Sequence, residues 1–474
     1  MEEVGEFMSA TNSATKQPNN RPLKESVRWL AMESVQRILF KEAFIHETVS
    51  DVLTTHSLSE ADRKLLTELI YGTVQHYLTI DALLRQHVKR ANRVKKWLWA
   101  LLLVSLYQHY YLSQIPDYAL VDEAVRITKK RGNQSLSRFT NGVLRNVLRE
   151  VPNLDALYQQ FQSLPWEERI SQQYSLPKVW VTYFNQRFGK ERTEKLAQSF
   201  NQRASMTIRI SDHAIDRETE IVGALTAEGL NVEASSITPH AYQVTNGTPV
   251  HTQAFKNGEL TIQDASAQLA AVALDAQPGD KVLDACAAPG GKTVQLAEKV
   301  APNGHVISQD IQENKLNKIN DNIDRMNVAK QVTVKVGDAT KLSQTYAKET
   351  FDRILIDAPC SGVGLFRRKP DTKYHKSLQD LTSLQAIQKD ILNDAVSVLK
   401  PGGVLVYSTC TITNEENQAV VEQLLDNHPE LMITSISGRQ QLLDQAQTSQ
   451  GTIEILPDMF QSDGFFIARF EKEN

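Results

Sequence analysis

Lys281-Val-Leu-Asp-Ala-Cys-Ala-Ala-Pro-Gly-Gly-Lys-Thr293 runs a short apolar strand into a turn and then into the helical stretch Val294-Gln-Leu-Ala-Glu298. Pro289, Gly290 and Gly291 remove bulk where the chain turns, so a ligand can approach backbone amides at the positive end of the helix. A carboxylate or a phosphate is the guest that such a turn expects. A phosphate-binding P-loop needs glycine where this chain has Cys286, and a dinucleotide fingerprint needs Gly-x-Gly-x-x-Gly where only the adjacent pair Gly290-Gly291 occurs. The turn therefore points to a different ligand.

Downstream, an apolar strand followed by an amphipathic helix recurs, with strands expected at Lys281–Ala285, His305–Gln309, Val332–Val336, Arg353–Asp357 and Val404–Ser408. Such βαβ units build a mostly parallel sheet whose ligands bind beyond the carboxyl ends of the strands. The second strand leads to Asp310, close to the distance from the turn at which an acid receives ribose hydroxyls. The third leads to Gly337-Asp338, whose carboxylate can accept from an adenine amino group. Taken singly, either acid is as readily a cap for the next helix. In series with the Gly-rich turn they form a rim for a nucleoside carrying a zwitterionic amino acid, a description that S-adenosylmethionine fits.

The fourth strand ends in Asp357-Ala-Pro-Cys360-Ser-Gly362, and the fifth, after Lys400-Pro-Gly-Gly403, ends in Tyr407-Ser-Thr-Cys410-Thr411. If these strands are neighbours in an open sheet, both thiols face one pocket beside the cofactor. A lone free cysteine is by default a small buried hydrophobe. Here all of Cys286, Cys360 and Cys410 fall at strand ends on one edge, which favours chemistry over packing. Their wide spacing suits neither a disulfide framework nor a zinc site, so reduced thiols and no metal are expected. Carbon 5 of cytosine is too weak a nucleophile to take a methyl group directly, whereas a thiolate adding to C6 makes the ring enamine-like and sends electron density to C5. Asp357 can bind the cytosine N3/N4 edge or a methionine ammonium, and both roles stay open at this point.

Upstream, residues 1–20 are polar and acidic, which predicts a disordered tail and lacks the basic start and apolar core of a signal peptide. From Pro22 to about Glu150 apolar residues recur at helical spacing, as in Val27, Leu30, Val35, Ile38 and Leu39, which predicts an all-helical domain. Trp97 to Leu106 is apolar on every side, fit for the centre of a bundle and too short to span a bilayer. Helical patterning continues to Gln202, and Met206-Thr-Ile-Arg-Ile210 then alternates with a period of two, which predicts a small α+β segment. The expected division is therefore 21–150, 151–263 and 264–474, in a cytoplasmic chain with no membrane segment. The net charge of −4 hides an asymmetry, because Arg85 to Arg149 holds thirteen Lys/Arg against three acids, 13 − 3 = +10. Clustered cations of this kind suit structured RNA through counterion release.

Asp284-Ala-Cys-Ala-Ala-Pro-Gly-Gly-Lys292, Asp357-Ala-Pro-Cys-Ser-Gly362 and Ser408-Thr-Cys-Thr411 resemble three motifs of the RNA cytosine-5 methyltransferases of the Nop2/Sun family. Tyr71-Gly72 and Phe139-Thr-Asn-Gly-Val-Leu-Arg145 are similar to stretches of the NusB-like domain in its bacterial 16S ribosomal RNA branch, and Gln263-Asp-Ala-Ser-Ala-Gln268 to the segment before the family's first strand. The resemblance covers the chain from Pro22 to Arg469 and implies an all-α NusB-like RNA-binding domain, an RNA-recognition-like α+β domain and a Rossmann-like class I methyltransferase domain. It implies S-adenosylmethionine as cofactor and 16S rRNA as partner, with cytosine 967 as the target. Carried onto this sequence, it makes Cys410 the nucleophile and Cys360 the residue that assists proton removal and product release. It gives cofactor binding to Cys286, Ala287, Ala288, Pro289, Gly290, Gly291, Lys292, Asp310, Asp338 and Asp357.

Arg367-Arg-Lys-Pro-Asp371 matches the family's basic loop, with Lys369 where some relatives carry another residue. Arg367, Arg368 and Lys369 are therefore expected to hold phosphates around the target base, and Arg90, Arg93, Lys95 and Lys96 to dock the helical domain on RNA. Lys373 and Lys376 read as a solvated face. Nothing in the sequence calls for an obligate dimer, so a monomer is expected. Three rivals stand beside this reading. DNA cytosine methyltransferases attack with the cysteine of a Pro-Cys motif, which would make Cys360 the nucleophile. A large-subunit rRNA or a tRNA is an alternative substrate, and a non-catalytic ribosome-assembly factor would bind RNA without methyl transfer.

Overall fold

The computed structural model describes residues 22–112, 114–436 and 440–474, so the expected N-terminal tail lies outside the described residues. The chain forms two compact units that divide between residues 159 and 160.

The N-terminal unit is helical. Ser26 and Ser59 cap helices Val27–Lys41 and Glu60–Gln75 by accepting the amides of Trp29 and Asp62. The central helix Lys96–Tyr111 buries residues on every side, as its uniformly apolar sequence predicts. Gly72 permits its close crossing with Glu60–Gln75, since a Cβ there would meet the Tyr107 ring at 2.0 Å. Arg131 lies over the rings of Trp29 and Trp97, 5.3 and 5.4 Å from their centroids, and pairs with Glu33.

The second unit holds two sheets. Strands β1 (Met206–Ile210), β2 (Asn231–Ala234), β3 (Ala241–Asn246) and β4 (Leu260–Ile262) form an antiparallel sheet in the order β2-β3-β1-β4. Helix Glu218–Ala227 contributes Ile221 and Leu225 to its core with Ile208, Ile210 and Leu260. The alternation read at Met206–Ile210 is β1. A buried ion pair fastens this sheet to helix Gly291–Val300, with Arg209 Nη1 2.6 Å from Glu298 Oε2 and both side chains only 4% exposed.

The larger sheet contains β5 (Lys281–Asp284), β6 (His305–Asp310), β7 (Val332–Val336), β8 (Phe351–Asp357), β9 (Leu399–Thr409), β10 (Leu431–Ile433), β11 (Ile453–Ile455) and β12 (Phe465–Lys472). Its order is β10-β12-β9-β8-β5-β6-β7, with β11 also paired to β12. The five strands read from the sequence are the parallel ones, and β8 and β9 are neighbours. One apolar layer comes from helices Ala265–Leu274, Gly291–Val300 and Leu316–Arg325, the other from Leu378–Val398 and Gln418–Asn427. The order reverses at β5, and the crevice at such a reversal is where doubly wound sheets bind ligands.

Two differences from the sequence reading have physical causes. Lys400-Pro-Gly-Gly403 does not end the chain's approach to β9 but lies within the strand, because the β8–β9 register shifts between Phe351 and Arg353 and Gly402 takes φ 69°. Helices Trp166–Tyr174 and Lys178–Phe200, the second interrupted at Gly189, do not stand apart from the body built on the larger sheet. Trp180, Phe184 and Phe200 pack beneath the loops that follow β8 and β9, against Val363, Phe366, Leu381 and Ile412. Among the described residues no helix is long and apolar enough to cross a membrane.

Candidate active site

The carboxyl ends of β5 and β8 meet at one cleft of about 270 Å³, lined in part by Gln263, Asp284, Cys286, Gly291, Lys292 and Asp357. Gly290 takes φ 102°, and a Cβ there would come within 3.0 Å of Ile319 Cα, so the turn lies tight against the helix behind it. The backbone amide of Ala288 donates to Asp310 Oδ2 at 3.2 Å and that of Gln312 to Asp310 Oδ1 at 2.9 Å, which ties the end of β6 to the Gly-rich turn.

Asp284, absent from the sequence-derived set of site residues, is fully buried at the end of β5. Its Oδ2 accepts from Thr293 Oγ1 at 2.7 Å while Oδ1 has no partner. Gln263 Oε1 is likewise buried without a partner in the same cleft. Buried polar atoms are ordinarily satisfied, so these orphans mark a place for a polar guest. Burial pushes the Asp284 carboxyl up to about 7 from 3.8, with Asp357 and Asp310 adding to the rise against Thr293 and Lys292. Between those two pH values the folded chain holds a proton that the unfolded chain has released, so ligand-free stability from this group falls as pH rises through the window. Melting temperatures followed across that window should show the decline, by at most about 1.4 kcal/mol per pH unit, and Asp284→Asn should flatten it. An unchanged slope in the variant would assign the titration elsewhere.

Lys292 reaches from the first turn of its helix to Asp357, with Nζ 2.7 Å from Oδ2, and Ser408 Oγ donates to Oδ1 at 2.9 Å. Burial works against its charge, but the neighbouring Asp357 prevails and holds the Lys292 ammonium above its ordinary range. Asp357 is thus anchored on both oxygens and still has lone pairs directed to a ligand.

Cys360 and Cys410 are brought together, their sulfurs 3.2 Å apart across the β8 and β9 ends. Either thiol can donate across that distance, and the pairing lowers the Cys410 thiol below its usual range; Lys369 and Lys292 add to this against burial and Asp357. The same pairing, with burial and the charge of Glu416, drives Cys360 well above that range. Cys410 is therefore the more acidic thiol of the pair and Cys360 the one that holds its proton more tightly. Cys286 stands at the neighbouring strand end, where burial raises its thiol, so it is a poor nucleophile.

Other expected residues divide. Asp338 sits at the β7 end but spends Oδ1 on Thr340, amide and hydroxyl, the capping role open to it from the start. Lys369 is exposed, as are Arg90, Arg93, Lys95 and Lys96 on the helical unit. Arg367 and Arg368 do not fit the expectation that they face RNA phosphates. Arg367 is buried, donates to the Ser462 carbonyl at 2.5 Å and lies 3.5 Å from Asp463, while Arg368 pairs with Asp463 and, at 2.8 Å, with Asp264. Lys373 is no solvated residue either, being buried with Nζ donating to the Ser175 carbonyl at 3.3 Å.

The doubly wound sheet, the glycine-turn cleft at its reversal and the matching family models define an S-adenosylmethionine-dependent RNA methyltransferase. Residues 271–471 match the family described as 16S rRNA methyltransferase RsmB/F, residues 25–149 the NusB family, and residues 176–251 the ferredoxin-like domain of RsmF/B-like methyltransferases. The chain is 38% identical over 453 residues to the probable ribosomal RNA small subunit methyltransferase B of Bacillus subtilis, covering 95% of this chain and 99% of the relative. It is 32% identical to the protein of the same description from Synechocystis, covering 94% and 99%. The solved structure of PH0851 superposes with a TM-score of 0.78 over 95% of this chain and 99% of its own, at 24% identity, and shares the fold. The chain belongs to the RsmB/F family of ribosomal RNA methyltransferases.

Proposed function

We propose that this protein transfers a methyl group to carbon 5 of a cytosine in 16S rRNA, with cytosine 967 as the target, through a covalent bond between Cys410 and C6. The observation that carries the reading is the 3.2 Å pairing of two thiols beside the Lys292–Asp357 side of the cleft, with Cys410 the more acidic of the two. The relatives named small subunit methyltransferase B support the substrate.

S-adenosylmethionine, when bound, supplies an electrophilic methyl group. The donor set fits it: the unpartnered Asp284 and Gln263 oxygens and the Asp357 carboxylate suit an ammonium or hydroxyls, and the first-turn amides of Gly291 and Lys292 suit a carboxylate. Asp310 and Asp338 complete the proposed rim. Cys410 adds its electron pair to C6, the ring carries density to C5, and C5 takes the methyl group. Water takes the C5 proton, a loss that Cys360 assists, and the electron pair left behind restores the C5–C6 double bond as the Cys410–C6 bond breaks. At 3.2 Å the Cys360 S–H is placed to stabilise the departing thiolate. Asp357, held by Lys292 and Ser408, is placed to orient the base edge or the methionine ammonium.

A division of labour among 21–150, 151–263 and 264–474 goes with this reading, the first supplying RNA affinity and the last chemistry. Exposed Arg90, Arg93, Lys95 and Lys96 contribute phosphate contacts, joined near the reacting base by Lys369. RNA affinity should therefore fall steeply with salt, and replacing those four residues by alanine should reduce the log–log slope by about 0.7–0.9 per contact removed. A flat dependence would remove the helical unit from the interface. The reading as a whole is tested by bisulfite sequencing of 16S rRNA from cells lacking the gene: one protected cytosine should become convertible, and the intact gene should restore it. Unchanged protection throughout 16S rRNA would overturn the substrate.

A further inference from the structure

We propose that Glu416 is a positioning residue for the reaction, the clamp that holds the two cysteine-bearing loops at the separation where one thiol can serve the other; this rests on the reading of Cys410 as nucleophile. Glu416 lies six residues beyond Cys410, ahead of helix Gln418–Asn427, and its side chain is fully buried (0% exposed). Four donors converge on it. Oε1 accepts from the Ser361 amide at 2.8 Å and Gln388 Nε2 at 3.1 Å, and Oε2 from Ser361 Oγ at 2.5 Å and Thr413 Oγ1 at 2.8 Å. Such a set matches the four lone-pair sites of an ionised carboxylate, which only accepts.

The donors come from both loops. Ser361 follows Cys360 and Thr413 stands three residues past Cys410. Their neighbourhood is stitched further by the 3.0 Å bond between Ser361 Oγ and Thr411 Oγ1. Gln388 also donates to the Pro359 carbonyl at 2.9 Å, so helix Leu378–Val398 grips the Cys360 loop from its other side. A buried carboxylate is costly and weak as a stabilising device, which makes a purely structural purpose the poorer account of it. What it fixes is the relative position of two sulfurs.

Its charge also acts unequally on them. The groups facing the pair are Asp357 near both, Lys292 and Lys369 near Cys410, and Glu416 and Tyr407 near Cys360. The anion thus sits on the side of the thiol that must keep its proton, the cations on the side of the thiol that must lose it.

The test compares Glu416→Ala, which removes the clamp, with Glu416→Gln, which keeps its shape and most of its hydrogen bonds. In the full-length enzyme with 16S rRNA, Glu416→Ala should lower kcat on the order of 10²-fold. Its KM for S-adenosylmethionine should stay within about twofold. The acid limb of its pH–rate profile should move toward higher pH, because the Cys360 S–H no longer meets Cys410. Glu416→Gln should recover about tenfold of the loss. Wild-type kcat in Glu416→Ala, or a loss shared by kcat and KM with the pH profile unmoved and no recovery in Glu416→Gln, would overturn the proposal. If Glu416→Ala fails to fold, Ser361→Ala and Thr413→Val each remove one donor and should each lower kcat a few-fold with the same shift in pH profile; neither shifting it counts against the clamp. Peptide mapping of the wild-type adduct on 5-fluorocytosine RNA separates the two claims, since attachment to Cys360 sinks the parent reading whatever Glu416 does.

Discussion

Cys410→Ala should lose methyl transfer by about 10⁴-fold or more and should form no covalent complex with RNA carrying 5-fluorocytosine at the target. Without the sulfur there is no addition to C6, and without addition C5 stays unreactive. Wild-type enzyme should instead be trapped on the fluorinated RNA, because carbon 5 then bears fluorine in place of the proton whose loss precedes release. Cys360→Ala should also be trapped, and it should accumulate a complex even on ordinary RNA, since the thiol it lacks stands 3.2 Å from the departing sulfur. The same substitution removes the hydrogen bond that lowers the Cys410 thiol, so adduct formation in Cys360→Ala should need a higher pH than in wild type. Denaturing gels of enzyme mixed with labelled RNA read all three outcomes. Trapping by Cys410→Ala, or its absence in wild type, would end the proposed mechanism and hand the nucleophile's part to Cys360 or to no cysteine.

Arg368→Ala should cost up to about 3 kcal/mol of stability at neutral pH, the low end of the range for stripping a partner from a buried ion pair, because the Arg368 side chain is itself 31% exposed. The guanidinium bridges Asp264 and Asp463, whose side chains are 11% and 4% exposed. Asp264 is also the N-cap of Ala265–Leu274 and accepts from Ser266 and Ser462, so the cluster joins the helix before β5 to the turn before β12. In the variant two buried carboxylates would share only Arg367, at 3.5 Å from Asp463. Their folded-state pKa values would rise above the unfolded ones, a penalty complete at neutral pH and relieved as pH falls toward the ordinary carboxylate range. Urea unfolding at neutral and mildly acidic pH should show the deficit shrinking in acid. Lys369→Ala, from an exposed neighbour in the same basic run, should leave stability unchanged and weaken RNA binding. Equal stability of Arg368→Ala and wild type would return Arg368 to the RNA-contact set.

What was legible in the sequence is what short-range pattern encodes. The parallel strands announce themselves as apolar runs ending in turn residues, and the order of their ends follows from βαβ handedness, so the juxtaposition of Cys360 and Cys410 could be expected before any coordinate. Asp284 could have been found by the same logic, as the one carboxylate ending the strand that enters the Gly-rich turn. Arg367 and Arg368 could not: their partners Asp264 and Asp463 lie about a hundred residues away in the chain, 104 and 95 for Arg368, and no local feature marks a basic run as inward-facing. Lys373 is misleading for the same reason, its cover coming from Trp180 and Ser175. Glu416 hides in Thr413-Asn-Glu-Glu-Asn417, which reads as a polar loop because burial of a carboxylate becomes tolerable only once the distant donors of Ser361 and Gln388 have joined the local one of Thr413. The strands β10 to β12 were missed because each leans on β9 or β12 across a long connection.

Thr261, Ile262 and Gln263, at the end of β4 and just past it, line the cleft proposed for the methyl donor, yet β4 belongs to the small antiparallel sheet. Arg209 on Glu298, with Arg325 donating to the Leu260 carbonyl at 3.0 Å, keeps that sheet seated. One side of the vessel is therefore borrowed from a different module, and a catalytic core excised at residue 264 would be a trough open along its flank. Protein engineers who trim the chain to its minimal enzyme should expect to lose grip on the methyl donor long before they disturb any reacting atom.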